Sequence, residues 1–86
     1  MPKHNPEWWD WELVFSGHAE RRLEERGVSE VDVRTMLERR TSVEANAADG
    51  RFTVRASHES SPWVVIVEPD LDATMLVVVT VYEDQP

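Results

Sequence analysis

The stretch Ser16-Gly17-His18-Ala19-Glu20-Arg21-Arg22-Leu23-Glu24-Glu25-Arg26-Gly27-Val28-Ser29-Glu30-Val31-Asp32-Val33 decides the fold, because it carries two helix starts and one helix stop. Ser16 reads as an N-cap, since its hydroxyl can accept a bond from an orphan N–H of the first turn. A first helix is expected through Arg26, and Gly27 ends it because a glycine enters the left-handed conformation at least cost. Ser29 and Asp32 then fit a capping box, and Val28 faces Val33 as a hydrophobic staple. Val33, Met36, Leu37 and Arg40 follow at i, i+3, i+4 and i+7, giving a short amphipathic helix to about Arg39. The two helices form a hairpin.

Downstream of residue 43 the period changes from 3.6 to 2. Val43 to Ala47 is a weak strand, and Asp49-Gly50 is a favoured tight-turn dipeptide. Arg51 to Ser57 alternates: Phe52, Val54 and Ala56 point one way, and Arg51, Thr53, Arg55 and Ser57 the other. Glu59-Ser60-Ser61-Pro62 reads as a turn. Trp63–Glu68 and Thr74–Tyr82 are nearly continuous β-branched runs around the turn Pro69-Asp70-Leu71-Asp72, which implies that both of their faces are partly covered. Upstream, Trp9, Trp11, Leu13 and Phe15 fall on one face of a period-two pattern, which favours a strand. Trp8, Trp11 and Phe15 keep a helical alternative open. Residues 1–7 read as a flexible tail and 8–86 as one domain. The expected class is α+β: an N-terminal helical hairpin packed on a three- to five-stranded antiparallel β-meander.

Composition removes several classes of function. The chain has 86 residues, no cysteine and a formal charge of -8. That is one small domain with no disulfide framework, thiolate metal site or catalytic thiol. Its longest apolar runs, Trp63–Val67 and Met75–Val79, are far short of the roughly 20 residues a membrane helix needs, and no secretory signal pattern opens it. No membrane association is expected, and a cytoplasmic location is. The three histidines have no ligand-like spacing and the three glycines all have turn or cap roles. No metal, nucleotide fingerprint or other cofactor is therefore expected. Residues 1–42 carry seven bases and nine acids, and residues 43–86 two bases and eight acids. Nucleic-acid contact would have to be local, built on the arginines of the first half with Arg51 and Arg55.

Three groups of residues could carry chemistry. His18, Arg22 and Arg26 stand at i, i+4 and i+8 with Arg21 adjacent; an imidazole beside guanidiniums can exchange a proton while they hold a phosphate. The plain alternative is a solvated charged helix face. Arg51, Thr53 and Arg55 share a strand face on which a flexible substrate could lie, and Thr80 and Tyr82 would add hydroxyls if register brings them there. Ordinary solvent-facing arginines are the alternative. His58 reads as a turn residue. Trp8, Trp9 and Trp11 are either an interface anchor or a plug for one end of the core.

The run Phe15 to Val33 also resembles the S-x-H-A-x-x-R-x-x-x-R-G opening of a family of small bacterial domains of unknown function, thought to belong with the RelE/ParE-like toxins. The similarity covers roughly residues 13–82, through Gly50-Arg51 and Thr80-Val81-Tyr82, and is sharpest over its first twenty residues. The resemblance implies a RelE/ParE-like fold and metal-independent RNA cleavage. His18 would be general base or acid, Arg22, Arg26 and Arg51 would face the phosphate, and Tyr82 or Thr80 would be an accessory hydroxyl. Arg21 and Arg55 would join Thr80 in binding RNA. Implied partners are RNA or the ribosome and a cognate antitoxin. Two expectations follow: a toxin-like endoribonuclease, or a non-catalytic interaction module that uses its acidic surface and the tryptophans, as a homodimer or with another protein. A weaker third is an acidic mimic of nucleic acid.

Overall fold

A computed structural model describes residues 7–46 and 49–84. A single 3-10 turn, Glu7–Asp10, leads into strand β1, Glu12–Phe15. Helices α1, Gly17–Arg26, and α2, Glu30–Glu38, follow, and then strands β2, Ser42–Ala45; β3, Phe52–His58; β4, Ser61–Asp70; and β5, Met75–Glu83. The sheet order is β1-β5-β4-β3-β2. β2, β3, β4 and β5 pair antiparallel in succession, while β1 runs parallel to β5.

The α+β class holds, but two features differ from expectation. The helices are not an N-terminal hairpin, because a strand precedes them, and the sheet is mixed rather than an antiparallel meander. The RelE/ParE-like architecture expected in that form is corrected with it. The physical reason is that period-two alternation identifies a strand without naming its partner or direction. β1 finds its neighbour some sixty residues away, at Glu12↔Met75 to Phe15↔Val78.

The local signals place the helices as expected. Ser16 caps α1, accepting from the Ala19 N–H at 3.0 Å, and Gly27 closes it at φ 67°. The capping box of α2 is complete: the Asp32 N–H donates to Ser29 Oγ and the Ser29 N–H to Asp32 Oδ2, both at 3.0 Å. The two ends of the staple, Val28 and Val33, are buried. The Asp49-Gly50 turn takes its positive φ at Gly50. Glu59 and Ser60, at φ 50° and 67°, form the two-residue link between His58 and Ser61, where a primed turn has been built without glycine.

Both helices cover one face of the sheet. Ala19 and Leu23 of α1 and Val33, Met36 and Leu37 of α2 pack with Val54, Val65, Val67, Val78 and Val81 in a single core, which Trp8 also joins. On the other face Val64, only 1% exposed, lies outside that core. Among the described residues no helix or strand covers this second face; Arg55 and Tyr82 flank Val64 as its cross-strand neighbours instead. β5 carries a bulge: Val67 pairs with Val78 and Ile66 with Thr80, leaving Val79 as the extra residue. Ser16 ties this bulge to the helix layer. Its N–H donates to the Val78 carbonyl at 3.1 Å and its hydroxyl to the Val79 carbonyl at 3.2 Å. Among the described residues no helix is long and apolar enough to cross a membrane. The tail expected over 1–7 and the end of the weak strand at Ala47 lie outside the described residues, apart from Glu7, which opens the 3-10 turn.

Candidate functional site

The residues singled out in the sequence are gathered in three places, not one. On α1, burial of Ala19 and Leu23 turns the flank bearing His18, Arg21 and Arg22 outward. Those three line a shallow depression of about 170 Å³ with Glu25. Arg22 Nη1 lies 2.7 Å from Glu25 Oε1, an exposed i, i+3 pair. His18 itself is exposed. Arg26, exposed in the last turn of α1, lies outside that depression.

The second group occupies the uncovered face of the sheet. Register settles what alternation left open: Ser42, Arg55, Val64 and Tyr82 form one row across four strands, and Glu44, Thr53, Ile66 and Thr80 the next. Thr80 and Tyr82 therefore share a face with Arg55 and Thr53. Arg51 joins them through Glu68 of β4, Nε to Oε1 at 2.9 Å. That hydrogen bond raises the Arg51 guanidinium above its ordinary value and fixes its positive charge. Arg55 holds two carboxylates, Nε to Glu44 Oε1 at 3.2 Å and Nη1 to Asp84 Oδ2 at 2.8 Å. Thr53 donates its hydroxyl to Asn46 Oδ1 at 2.8 Å. Each sheet arginine thus already has an anionic partner, and three carboxylates face two guanidiniums.

His18 and Arg51 do not meet. α1 packs on the core face of the sheet, and Arg51 lies on the opposite face. Arg51 shares a depression with Ser16, Glu68 and Asp70, and His18 lines the separate one described above. His58 sits at the end of β3 with its ring edge-on to Trp63, centroids 5.6 Å apart, and 3.9 Å from Glu59 Oε1. Among the described residues, no three His, Asp or Glu side chains converge in a way that could hold a metal ion.

The tryptophans divide. Trp8 is buried in the core, its ring tilted against Phe52 at 4.7 Å, so it plugs the fold rather than presenting an anchor. Trp9 and Trp11 are half-buried and line a groove of about 440 Å³ between the β1 end of the sheet and α2. The apolar lining is completed by Leu13, Leu37 and Leu76. Its charged lining is Asp10, Glu12, Glu38 and Arg34. The Arg40 guanidinium lies 4.0 Å from the centroid of Trp9, a cation–π contact. The groove escaped the sequence reading because it is assembled from β1, β5 and α2. Leu76 reaches it only through the parallel β1–β5 pair, for which no local pattern exists.

No curated protein and no solved structure matches the chain significantly. One family model does, over residues 15–83, from the last residue of β1 to the last of β5. The chain therefore belongs to DUF4258, a family defined as a domain of unknown function.

Proposed function

We propose that this domain is a non-catalytic protein-interaction module. What supports the reading above all is the separation of the residues that RNA cleavage would need in one place. His18, Arg21 and Arg22 are on the outer surface of α1, and Arg51, Arg55, Thr80 and Tyr82 are on the far face of the sheet. General acid–base chemistry needs its proton carrier within about 3 Å of the reacting group and the charge-stabilising groups around the same atom. The sheet arginines are also committed to Glu68, Glu44 and Asp84, so a phosphate would have to displace carboxylates before gaining a contact. A formal charge of -8 adds long-range repulsion of a polyanion.

A toxin-like, metal-independent endoribonuclease is the second reading, favoured by one observation. Arg51, Thr53, Arg55, Thr80 and Tyr82 do share one sheet face that neither α1 nor α2 covers. The resemblance of Phe15–Val33 to the opening of a small-domain family thought to belong with RelE/ParE-like toxins speaks for the same reading. Controlled expression in a bacterial host, following growth and total RNA, separates the two. Normal growth with intact RNA and abundant folded protein is expected. Prompt arrest with RNA fragmentation, abolished in folded His18→Ala or Arg51→Ala variants, would overturn the interaction reading in favour of the nuclease.

A further inference from the structure

We propose that the groove between Trp9, Trp11 and α2 is the docking site, and that its occupant is a basic peptide segment carrying an aliphatic anchor residue. The inference rests on the interaction reading and names the surface and the chemistry of the partner. Size is the first argument. About 440 Å³ lies within the roughly 300–1,000 Å³ of ordinary ligand sites, enough for one large side chain and its flanking backbone. The apolar lining is the second: two half-buried indoles with Leu13, Leu37 and Leu76 offer an aromatic and aliphatic pocket of the kind that anchors hot-spot residues.

Charge decides what flanks the anchor. Asp10, Glu12 and Glu38 line the groove with Arg34, and Arg40 lies beside it against Trp9, a local balance of three anions to two cations. Elsewhere the described arginines Arg22, Arg51 and Arg55 are each matched with carboxylates. The carboxylates of Asp10, Glu12 and Glu38 make no hydrogen bond or ion pair with any described residue. They are already exposed to water and next to apolar surface, so cations on a ligand gain attraction there at little desolvation cost. Trp9 already accepts the Arg40 guanidinium against its ring at 4.0 Å, which shows that this aromatic surface is compatible with a cation. The competing surfaces are less suited. On the open sheet face Val64 is buried between Arg55 and Tyr82, and Arg51 and Arg55 are already paired with carboxylates. The His18 depression holds about 170 Å³ with no apolar lining residue.

The test is a titration of the 15N-labelled protein with the peptide acetyl-Lys-Leu-Arg-Leu-Lys-amide, and with the same peptide bearing glutamate in place of each base. The indole N–H signals report the tryptophans separately. The basic peptide should shift Trp9 and Trp11 saturably and leave Trp8 and Trp63 in place, and the acidic peptide should shift none. Glu38→Lys, an exposed change, should weaken binding by about three- to tenfold, and Arg34→Glu should strengthen it by a similar factor. Trp11→Ala should weaken it by about tenfold or more, with circular dichroism confirming the fold. Saturable shifts centred on Arg51, Arg55 and Thr80 would overturn the groove while leaving the interaction reading standing. Absence of shifts at Trp9 and Trp11 up to millimolar basic peptide, or equal binding of the acidic peptide, would overturn it outright. RNA cleavage in the expression assay would instead remove the interaction reading itself, so the two failures are distinguishable.

Discussion

Ser16 joins α1 to β5 with one side chain, and its removal should cost more than the removal of an ordinary cap. The hydroxyl accepts from the Ala19 N–H at 3.0 Å and donates to the Val79 carbonyl at 3.2 Å in a partly buried setting. Loss of the N-cap bond is worth about 1 kcal/mol. The Val79 carbonyl belongs to the bulge residue of β5, which has no cross-strand partner, so leaving it unpaired adds about 1 kcal/mol more. Ser16→Ala should therefore destabilise by about 2 kcal/mol. At ~4–8 °C per kcal/mol for a domain of this size, Tm falls by about 8–16 °C. Ser29→Ala supplies the internal standard. It breaks an exposed capping box with no bond to the sheet and should cost about 1 kcal/mol. Ser16→Thr, which keeps both functions, should lie near the parent. Ser16→Asp keeps the acceptor but not the donor, and should fall between parent and alanine or lower. Thermal and urea unfolding followed by tryptophan fluorescence and circular dichroism measure all four. If Ser16→Ala is no more harmful than Ser29→Ala, the bond to the bulge contributes nothing and the argument fails.

The remaining expectations concern the turn, the cap carboxylate and the sheet arginines. Replacing Glu59-Ser60 by Asn-Gly relieves two left-handed non-glycine residues, at φ 50° and 67°, and should raise stability by about 1 kcal/mol in a denaturant titration. The Ser29 backbone N–H and then its hydroxyl hold the Asp32 carboxyl below its ordinary value. Because the folded pKa is the lower one, this contribution is complete above the unfolded value of 3.8 and is lost as pH falls through the folded pKa. Asp32→Asn should accordingly flatten the fall of Tm in that acid window, and an unchanged slope would refute it. Arg55→Met removes two half-exposed ion pairs and should change stability by less than about 1 kcal/mol. Any loss should disappear at about 1 M salt, where the Debye length is ~3 Å.

Much of the local structure was legible because its causes are local. The caps at Ser16 and Ser29, the stop at Gly27 and the turn at Gly50 each depend on side chains within a few residues, and each is found where the residues place it. The faces of β3 were legible too, since Phe52, Val54 and Ala56 alternate cleanly with Arg55 and Ser57. The apolar run Trp63–Val67 implied that both faces are partly covered, and Val64 is indeed 1% exposed, but what shelters it is its cross-strand neighbours Arg55 and Tyr82. What was misread is non-local. The antiparallel meander failed because Glu12–Phe15 carries no mark of the distant strand it joins or of its direction. The candidate site suffered most. Spacing put His18, Arg22 and Arg26 on one stripe and Arg51 with Arg55 on another, but nothing in either segment reports which layer of the fold it will occupy.

That division between layers bears directly on how an acidic domain can carry so many arginines. On the sheet, cross-strand register sets Glu44 and Glu68 beside Arg55 and Arg51, so the guanidiniums hold neighbouring strands together instead of forming a basic surface. On α1, Glu25 does the same for Arg22 one turn away. A nucleic-acid surface needs the opposite arrangement, with cations unneutralised until phosphates arrive and release their counterions. The groove lined by Trp9 and Trp11 offers what an interface for a basic segment needs: apolar surface for affinity, and the carboxylates of Asp10, Glu12 and Glu38, which pair with no described residue, for selection. Their pattern also predicts how binding responds to salt. Raising ionic strength should weaken a basic peptide only modestly, by the screening of a few rim charges. RNA held by several phosphate contacts would lose affinity by orders of magnitude over the same range. A steep salt dependence for whatever this domain binds would therefore count against the groove and return attention to the sheet arginines.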